Sequence, residues 1–387
     1  MTASIVRTTL PATVCWLLFA AMNHSANARD FWVYFGTYTG GASRGIYCSR
    51  MSADGNLTPP QLAASVKNPS FLAVDSKHRF LYAISEATGA SGQSEGDVTA
   101  YALDSRSGRL TKLNQQFSGD TSLCHLHVDG ANKTVLVSSY GGGNVAAFPV
   151  NADGRLGKVS SFIQHHGSSL NPRNQKGPHA HCIVTDPSNH FALVCDLGLD
   201  KVLVYRLDNK TATLSSNAIA FASFPPGTGP RHLAFHPDGK FVYVISEMGC
   251  NVTAFDFDKR NGMLTEIQAV STLQQGQAAN PAFTGAEVVV HPSGEFLYGS
   301  TRGLDLINVY AIDEKTGRLA PIESVPSGGK TPRNFNIDPT GRFLLAANQN
   351  SSNVTIFKIN PSTGRLTATG LSVEVGSPCC VLFVPAK

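Results

Sequence analysis

The sequence lacks the short motifs that mark several large enzyme classes. There is no G-x-S-x-G elbow and no dinucleotide-binding fingerprint. The triple glycine Gly141-Gly142-Gly143 is not followed by the Lys-Ser or Lys-Thr of a phosphate loop, so it reads as the bend leaving a strand. Eight cysteines are present, yet none is spaced C-x-x-C, which argues against a structural zinc site. No stretch sustains the i, i+3, i+4 apolar pattern of a long helix. A net charge of +4 over 387 residues, with no basic patch interleaved with aromatics, argues against nucleic-acid binding. What the chain does have is a hydrophobic fraction of 42%, enough for a globular core.

The first 28 residues differ from the rest. Arg7 precedes the apolar run "ATVCWLLFAAM", and Ala26-Asn27-Ala28 has the small-polar-small pattern of a cleavage site. The run is too short to span a bilayer comfortably. Residues 1–28 are therefore expected to be a secretory signal, with a mature chain from about Arg29 that is periplasmic or secreted and has no membrane contact; a retained anchor is the alternative. Cleavage removes Cys15 and leaves seven cysteines, an odd number that cannot all pair within the chain. Most of them lie in strand-like runs, where a buried small hydrophobe is the expected role.

Two markers recur through the mature chain. Gly-x-Leu begins at Gly55, Gly108, Gly154, Gly262, Gly317 and Gly364, with a degenerate Ala212-Thr213-Leu214 completing a set of seven. The interval is about 50 residues, in the range of propeller blades. Between these lies an Asp or His followed by a turn, as in "AFHPDGKFVYVIS" and "NIDPTGRFLLAAN", with Val, Ile, Phe, Leu and Tyr on both sides. Each unit predicts four strands, for example "RHLAFH", "FVYVIS", "NVTAFDFD" and "TEIQAV". Six units cover residues 69 to 376. The N-terminal "FWVYFGTYT", "GIYCSRM" and "QLAASV" lack a first strand, and the C-terminal "SPCCVLFVPA" is a first strand with nothing after it. Pairing the two ends closes the array and removes its exposed edges. The expectation is an all-β, seven-bladed β-propeller, one domain over residues 29–387, its last blade built from both termini. A β-helix would need shorter repeats, and two sandwiches leave the terminal half-units unexplained.

In a blade the start of the first strand and the end of the antiparallel second lie on one side. Five residues before each Asp or His marker stand Ser70, Cys124, His181, Arg231, Ala286 and Arg333; eleven after it stand Glu86, Tyr140, Leu197 beside Asp196, Glu247, Arg302 and Gln349. These positions are predicted to form two rings around one mouth of the central channel. His181 in "GPHAH" can exchange a proton near neutral pH. Arg231, Arg302 and Arg333 offer forks for a carboxylate, a phosphate or a developing oxyanion. Glu247 either orients an arginine or the histidine, assists a water, or only forms a salt bridge to Arg231. His179 and His181 would point the same way on an extended segment, which also permits a metal, although no further ligands follow from the counting. His165 and His166 fall in the long connection before the third complete unit, a rim, a lid or a plain surface loop.

These residues resemble the lactonase family of seven-bladed propellers, which includes the propeller-type 6-phosphogluconolactonases and the fungal carboxymuconate cyclases. The stretches that carry the resemblance are "FGTYTG", "GPHAH" followed by "DLGLDKV", "GPRHLAFHPDGKFVYVISE", "AEVVVHPSGEFLYGSTRG" and "TPRNFNIDPTGRFL". The cyclase site combines a histidine, two arginines and a glutamate, which the resemblance carries onto His181, Arg231, Glu247 and Arg302. His179, Asp196, Arg333 and Glu86 are expected to contact substrate. The resemblance implies hydrolysis of a sugar lactone, 6-phosphogluconolactone-like, with no cofactor and no metal. Because phosphorylated sugar lactones are cytosolic, an exported relative would take an unphosphorylated lactone. The alternatives are a cycloisomerase acting on muconate-type acids and a non-catalytic secreted propeller that binds a ligand at the same mouth.

Overall fold

Twenty-eight strands form seven four-stranded antiparallel sheets in the computed structural model, which describes residues 1, 29–86, 96–120 and 122–387. The leader expected over residues 1–28 lies, Met1 aside, outside the described residues. Six sheets are consecutive in the chain and are called blades one to six; their first strands are Leu72–Val74, Leu123–Val128, Ala180–Thr185, Pro230–Phe235, Thr284–Val290 and Pro332–Ile337. Blade seven takes its first strand, Pro378–Pro385, from the C-terminus and the other three, Phe31–Thr37, Gly45–Met51 and Gln61–Ser65, from the N-terminal part of the chain. Phe31 pairs with Pro385 and Phe35 with Val381, so the ring closes as expected. Each first strand touches the first strands of both neighbouring blades, the seventh touching the sixth and the first, and together they surround the axis.

The core lies between blades. Seven apolar clusters fill the seven interfaces; Phe31, Val33, Phe343 and Leu345, for example, join blades seven and six. The Gly-x-Leu turns belong to the same interfaces. Gly317 has a φ of +69°, and a Cβ there would lie 2.5 Å from the Phe241 ring of the preceding blade, so both backbone and packing require glycine. Five of the six glycines of this set sit over the Phe that starts the neighbouring second strand, and Gly108 sits over Trp32. The exception explains the degenerate repeat. The second strand of blade two starts with Thr134 in place of an aromatic, and the turn that follows it in register, in blade three, carries Ala212 at a φ of +55°.

The Asp and His markers hold their turns in different ways. Asp186 Oδ1 accepts the amides of His190 and Phe191 at 2.8 and 2.7 Å, closing its own turn. His236 and His291 place Nε2 3.0 and 2.9 Å from the carbonyls of Gly294 and Gly341, tying each turn to that of the next blade. This repeated scaffold fixes where each first strand begins.

Candidate active site

The first strands do not run straight at their starts. In blade three Ala180 pairs with Asp196 and Cys182 with Cys195, leaving His181 unpaired; in blade four Pro230 and His232 pair and Arg231 is left out; in blade six Pro332 and Asn334 pair and Arg333 is left out. Blades two, five and seven have the same irregularity around Cys124, Ala286-Glu287 and Cys379. A bulge of this kind breaks strict alternation and turns consecutive side chains toward the same space. A small pocket on the axis is lined by Tyr38, Ser70, Cys124, His181, Arg231 and Arg333, with Phe71, His232 and Cys379.

Glu247, just past the second strand of blade four, joins two arginines. Its Oε2 accepts Arg231 Nε at 3.0 Å and lies 2.9 Å from Arg302 Nη2. Arg231 is only 1% exposed and also donates Nη1 to the Ala286 carbonyl at 2.6 Å. Arg302 bonds the Gly285 carbonyl through Nη2, while its Nε is buried with no partner among the described residues. Burial disfavours the Glu247 carboxylate, but Arg302 and Arg231 outweigh it and hold the pKa below its ordinary value. Burial, with Arg302 and Arg333 adding like charge, lowers Arg231 to about 10, so it stays cationic at neutral pH.

His181 is buried, and its Nδ1 has no hydrogen-bond partner among the described residues. Burial first, then Arg231, His232, Arg333 and Arg302, keep its pKa well below 6.5. It is therefore a neutral imidazole beside three guanidinium groups, able to accept a proton. The Tyr140 ring stands edge-on to it at 5.5 Å.

The other expected substrate contacts divide. Arg333 and Glu86 meet at Tyr38: Arg333 Nη2 donates to the Tyr38 hydroxyl at 3.0 Å, and that hydroxyl donates to Glu86 Oε2 at 2.9 Å. Burial works against the Arg333 cation, but Tyr38 and Glu86 outweigh it and raise its pKa. His179 stacks on Tyr140 with ring centres 4.4 Å apart and places Nδ1 2.6 Å from the Tyr140 carbonyl. Asp196 departs from expectation. It is fully buried; Oδ1 accepts the amides of His179 and Leu199, and Oδ2 lies 2.6 Å from His165 Nδ1. Both oxygens are thus engaged by protein, and Asp196 fastens the long connection that carries His165 rather than presenting itself to the pocket. The same bond explains His165, read from sequence as part of a rim, a lid or a surface loop: it is a buried anchor.

Sequence counting did not single out Tyr38 or the residues one step deeper. Tyr38 follows the second strand of blade seven as Glu247 follows that of blade four, but the closing blade has no intact marker from which to count. Four residues before the markers stand Phe71, His125, Cys182, His232, Glu287 and Asn334, and the polar members were the available signal. They bond from blade to blade: His125 Nε2 lies 3.7 Å from Cys182 Sγ, His232 Nδ1 lies 2.9 Å from Glu287 Oε1, and Asn334 Nδ2 donates to Glu287 Oε2. Among the described residues no three His, Cys, Asp or Glu side chains are grouped to hold a metal ion.

Comparison with known proteins places this arrangement. The family described as "Lactonase, 7-bladed beta-propeller" matches residues 32–383. A 6-phosphogluconolactonase of Bacillus subtilis is 38% identical over 352 residues, covering 91% of this chain and 97% of its own. One of Formosa agariphila is 32% identical, over 71% of this chain and 76% of its own. The structure of a periplasmic gluconolactonase of Pseudomonas aeruginosa superposes with a TM-score of 0.87 at 34% identity, covering 92% of this chain and 100% of its own. With a match that runs from Phe31–Thr37 to Pro378–Pro385, the two strands that close the ring, this chain belongs to the family of seven-bladed β-propeller lactonases.

Proposed function

We propose that the protein hydrolyses a sugar lactone at the mouth of its channel, with His181 as general base. The observation that carries this reading is a buried, neutral histidine facing three arginines, two of them locked by one carboxylate oxygen of Glu247. His181 takes a proton from water as the water oxygen attacks the lactone carbonyl carbon. Arg231 and Arg302 receive the negative charge that develops on the carbonyl oxygen, and their fixed position keeps the cost of reorganisation low. When the ring C–O bond breaks, the histidine returns its proton to the departing alkoxide, leaving a hydroxy acid. Arg333, Glu86, Tyr38 and His179 are placed to contact the polyol end or a phosphate on it.

The substrate follows from export, which rests on Arg7, the apolar run and the Ala26-Asn27-Ala28 pattern. An exported enzyme meets plain rather than phosphorylated lactones, and the gluconolactonase likeness supports that choice. The test is a panel of gluconolactone, 6-phosphogluconolactone and muconolactones with identification of products. Faster opening of gluconolactone to the free acid supports the reading; conversion of a muconate-type acid instead would assign the site to cycloisomerisation.

A further inference from the structure

Below His181 the channel holds a chain of buried polar groups that the proposed chemistry does not use. His232 and Glu287 are 4% and 6% exposed, deep enough that an unmet polar atom is costly. Glu287 Oε1 accepts the Val288 amide at 3.0 Å and lies 2.9 Å from His232 Nδ1, while Oε2 accepts from Asn334 Nδ2. Asn334 cannot reverse its amide, because its Oδ1 accepts the Val381 amide at 2.8 Å. The carboxylate is thereby surrounded by donors, and His232 carries its hydrogen on Nδ1. Its other nitrogen, Nε2, is left as an acceptor, buried and without a partner among the described residues. His181 Nδ1 is also buried and without one, and the two rings are 5.1 Å apart, centre to centre. No hydrogen bond joins them as they stand; ring nitrogens lie roughly 1 Å from the ring centre, so a rotation that turns the two toward each other would bring them within roughly 3 Å, hydrogen-bond range.

We propose that Glu287 and His232 are positioning residues that fix the tautomer of His181: His232 Nε2 takes the hydrogen bond from His181 Nδ1–H, leaving His181 Nε2 as the lone pair that meets water. A histidine base oriented by a second acceptor, itself oriented by a carboxylate, follows the general logic of oriented bases. Bonds of this kind are often long without substrate and tighten on binding. The groups facing His181 are Arg231, His232, Arg333, Arg302 and the Tyr140 ring; those facing His232 are His125, Phe71, Arg231, Arg333, Arg302, Glu247 and Glu287. Among them Glu287 alone makes a hydrogen bond to His232. Burial, opposed by Arg231, raises Glu287 to about 7, so the pair gains a proton near neutral pH. With that proton on Glu287, the carboxyl donates to His232 Nδ1, the ring hydrogen of the neutral imidazole sits on Nε2 instead, and His232 no longer supports the active tautomer.

The alternative is a purely structural girdle, and two measurements separate it from the proposal. Nitrogen-15 spectra of histidine-labelled protein, with His181 identified by its loss in His181→Gln, read the tautomer directly without substrate. The proposal expects Nδ1–H and an unprotonated Nε2; the opposite tautomer overturns it. This readout does not depend on which lactone is turned over, so it stands apart from any failure of the lactonase reading, on which the kinetic arm rests. In that arm His232→Phe is expected to lower kcat about ten- to a hundredfold with little change in KM. It also moves the acid limb of the kcat profile to lower pH, because the imidazolium of His181 loses an acceptor. His232→Gln restores part of the rate. A folded His232→Phe with a wild-type pH profile and rate would overturn the proposal, and a misfolded one leaves the tautomer measurement to decide it.

Discussion

Arg231 Nε and Glu247 Oε2 lie 3.0 Å apart across a chain separation of 16 residues, one from the start of a first strand and the other just past the end of the second. The contact shows why a bulge matters: Arg231 has left the ladder, its backbone unpaired between Pro230 and His232, and its side chain turns into the axis.

The two arginines joined by Glu247 differ in burial, with side-chain exposures of 1% for Arg231 and 14% for Arg302. Arg231→Ala leaves the Ala286 carbonyl unmet and Glu247 with Arg302 alone, and opens a cavity where a fully buried side chain stood; it is expected to cost about 2 kcal/mol of stability, read as a lower melting temperature. Arg302→Ala should fold nearly as well as wild type and chiefly lower kcat, read from steady-state kinetics. Equal melting losses for the two would contradict this division.

Glu247→Gln keeps an acceptor for both arginines but removes the charge that holds them. The expected outcome is a drop in kcat/KM of about tenfold together with a modest fall in melting temperature. Unchanged kinetics with a lower melting temperature would assign Glu247 to stability alone.

His181→Ala removes the proposed base without opening the ring of blades. Turnover should fall by about two to four orders of magnitude while circular dichroism stays that of the wild type. A variant that retains a tenth or more of wild-type turnover would remove His181 from the chemistry.

Stability should depend on pH through the buried histidines. Burial lowers the pKa of His125, lowers His127 to about 4, and with Arg231 holds His181 and His232 well below 6.5. A group with a depressed folded pKa binds more protons unfolded than folded, so its contribution is present above 6.5 and lost as pH falls. Glu247, also depressed, adds a loss below 4.5. Glu287, raised to about 7, acts in the opposite sense: its contribution is present below 4.5 and lost as pH rises through 7. Four histidines outweigh one carboxyl, so calorimetry should show the melting temperature falling between pH 7 and pH 5. A rise over that interval would mean that Glu287 dominates.

Ring closure makes its own prediction. Removing residues 378–387 strips Phe31–Thr37 of one of its two partner strands and uncovers Phe31, Val33 and Phe35, all buried against the lost strand or the adjoining blade. Thermal unfolding should lose its single cooperative transition. An unchanged transition would show that the closing strand is dispensable.

The fold was legible because each of its parts is local. Turn glycines, Asp or His markers and apolar strands recur with a fixed interval, and even the degenerate Ala212 turn kept the count, with a positive φ like those of the glycines. The meeting of Arg231, Glu247 and Arg302 was legible by the same counting, which put them on one side of neighbouring blades. Asp196 and His165 were not, because whether a carboxylate faces the pocket or a neighbouring loop depends on a contact 31 residues away. His232, Glu287 and Asn334 escaped for another reason. Strict strand alternation places neighbours on opposite faces, and the bulge that turns both Arg231 and His232 inward leaves no mark in the sequence.

The most direct measurement is the rate at which the purified protein releases acid from gluconolactone and from 6-phosphogluconolactone, set against spontaneous opening and against His181→Ala. Acid release should run well above background on a sugar lactone, faster with the unphosphorylated ring, and be abolished in the variant. A folded wild-type protein that accelerates the opening of neither lactone would contradict it.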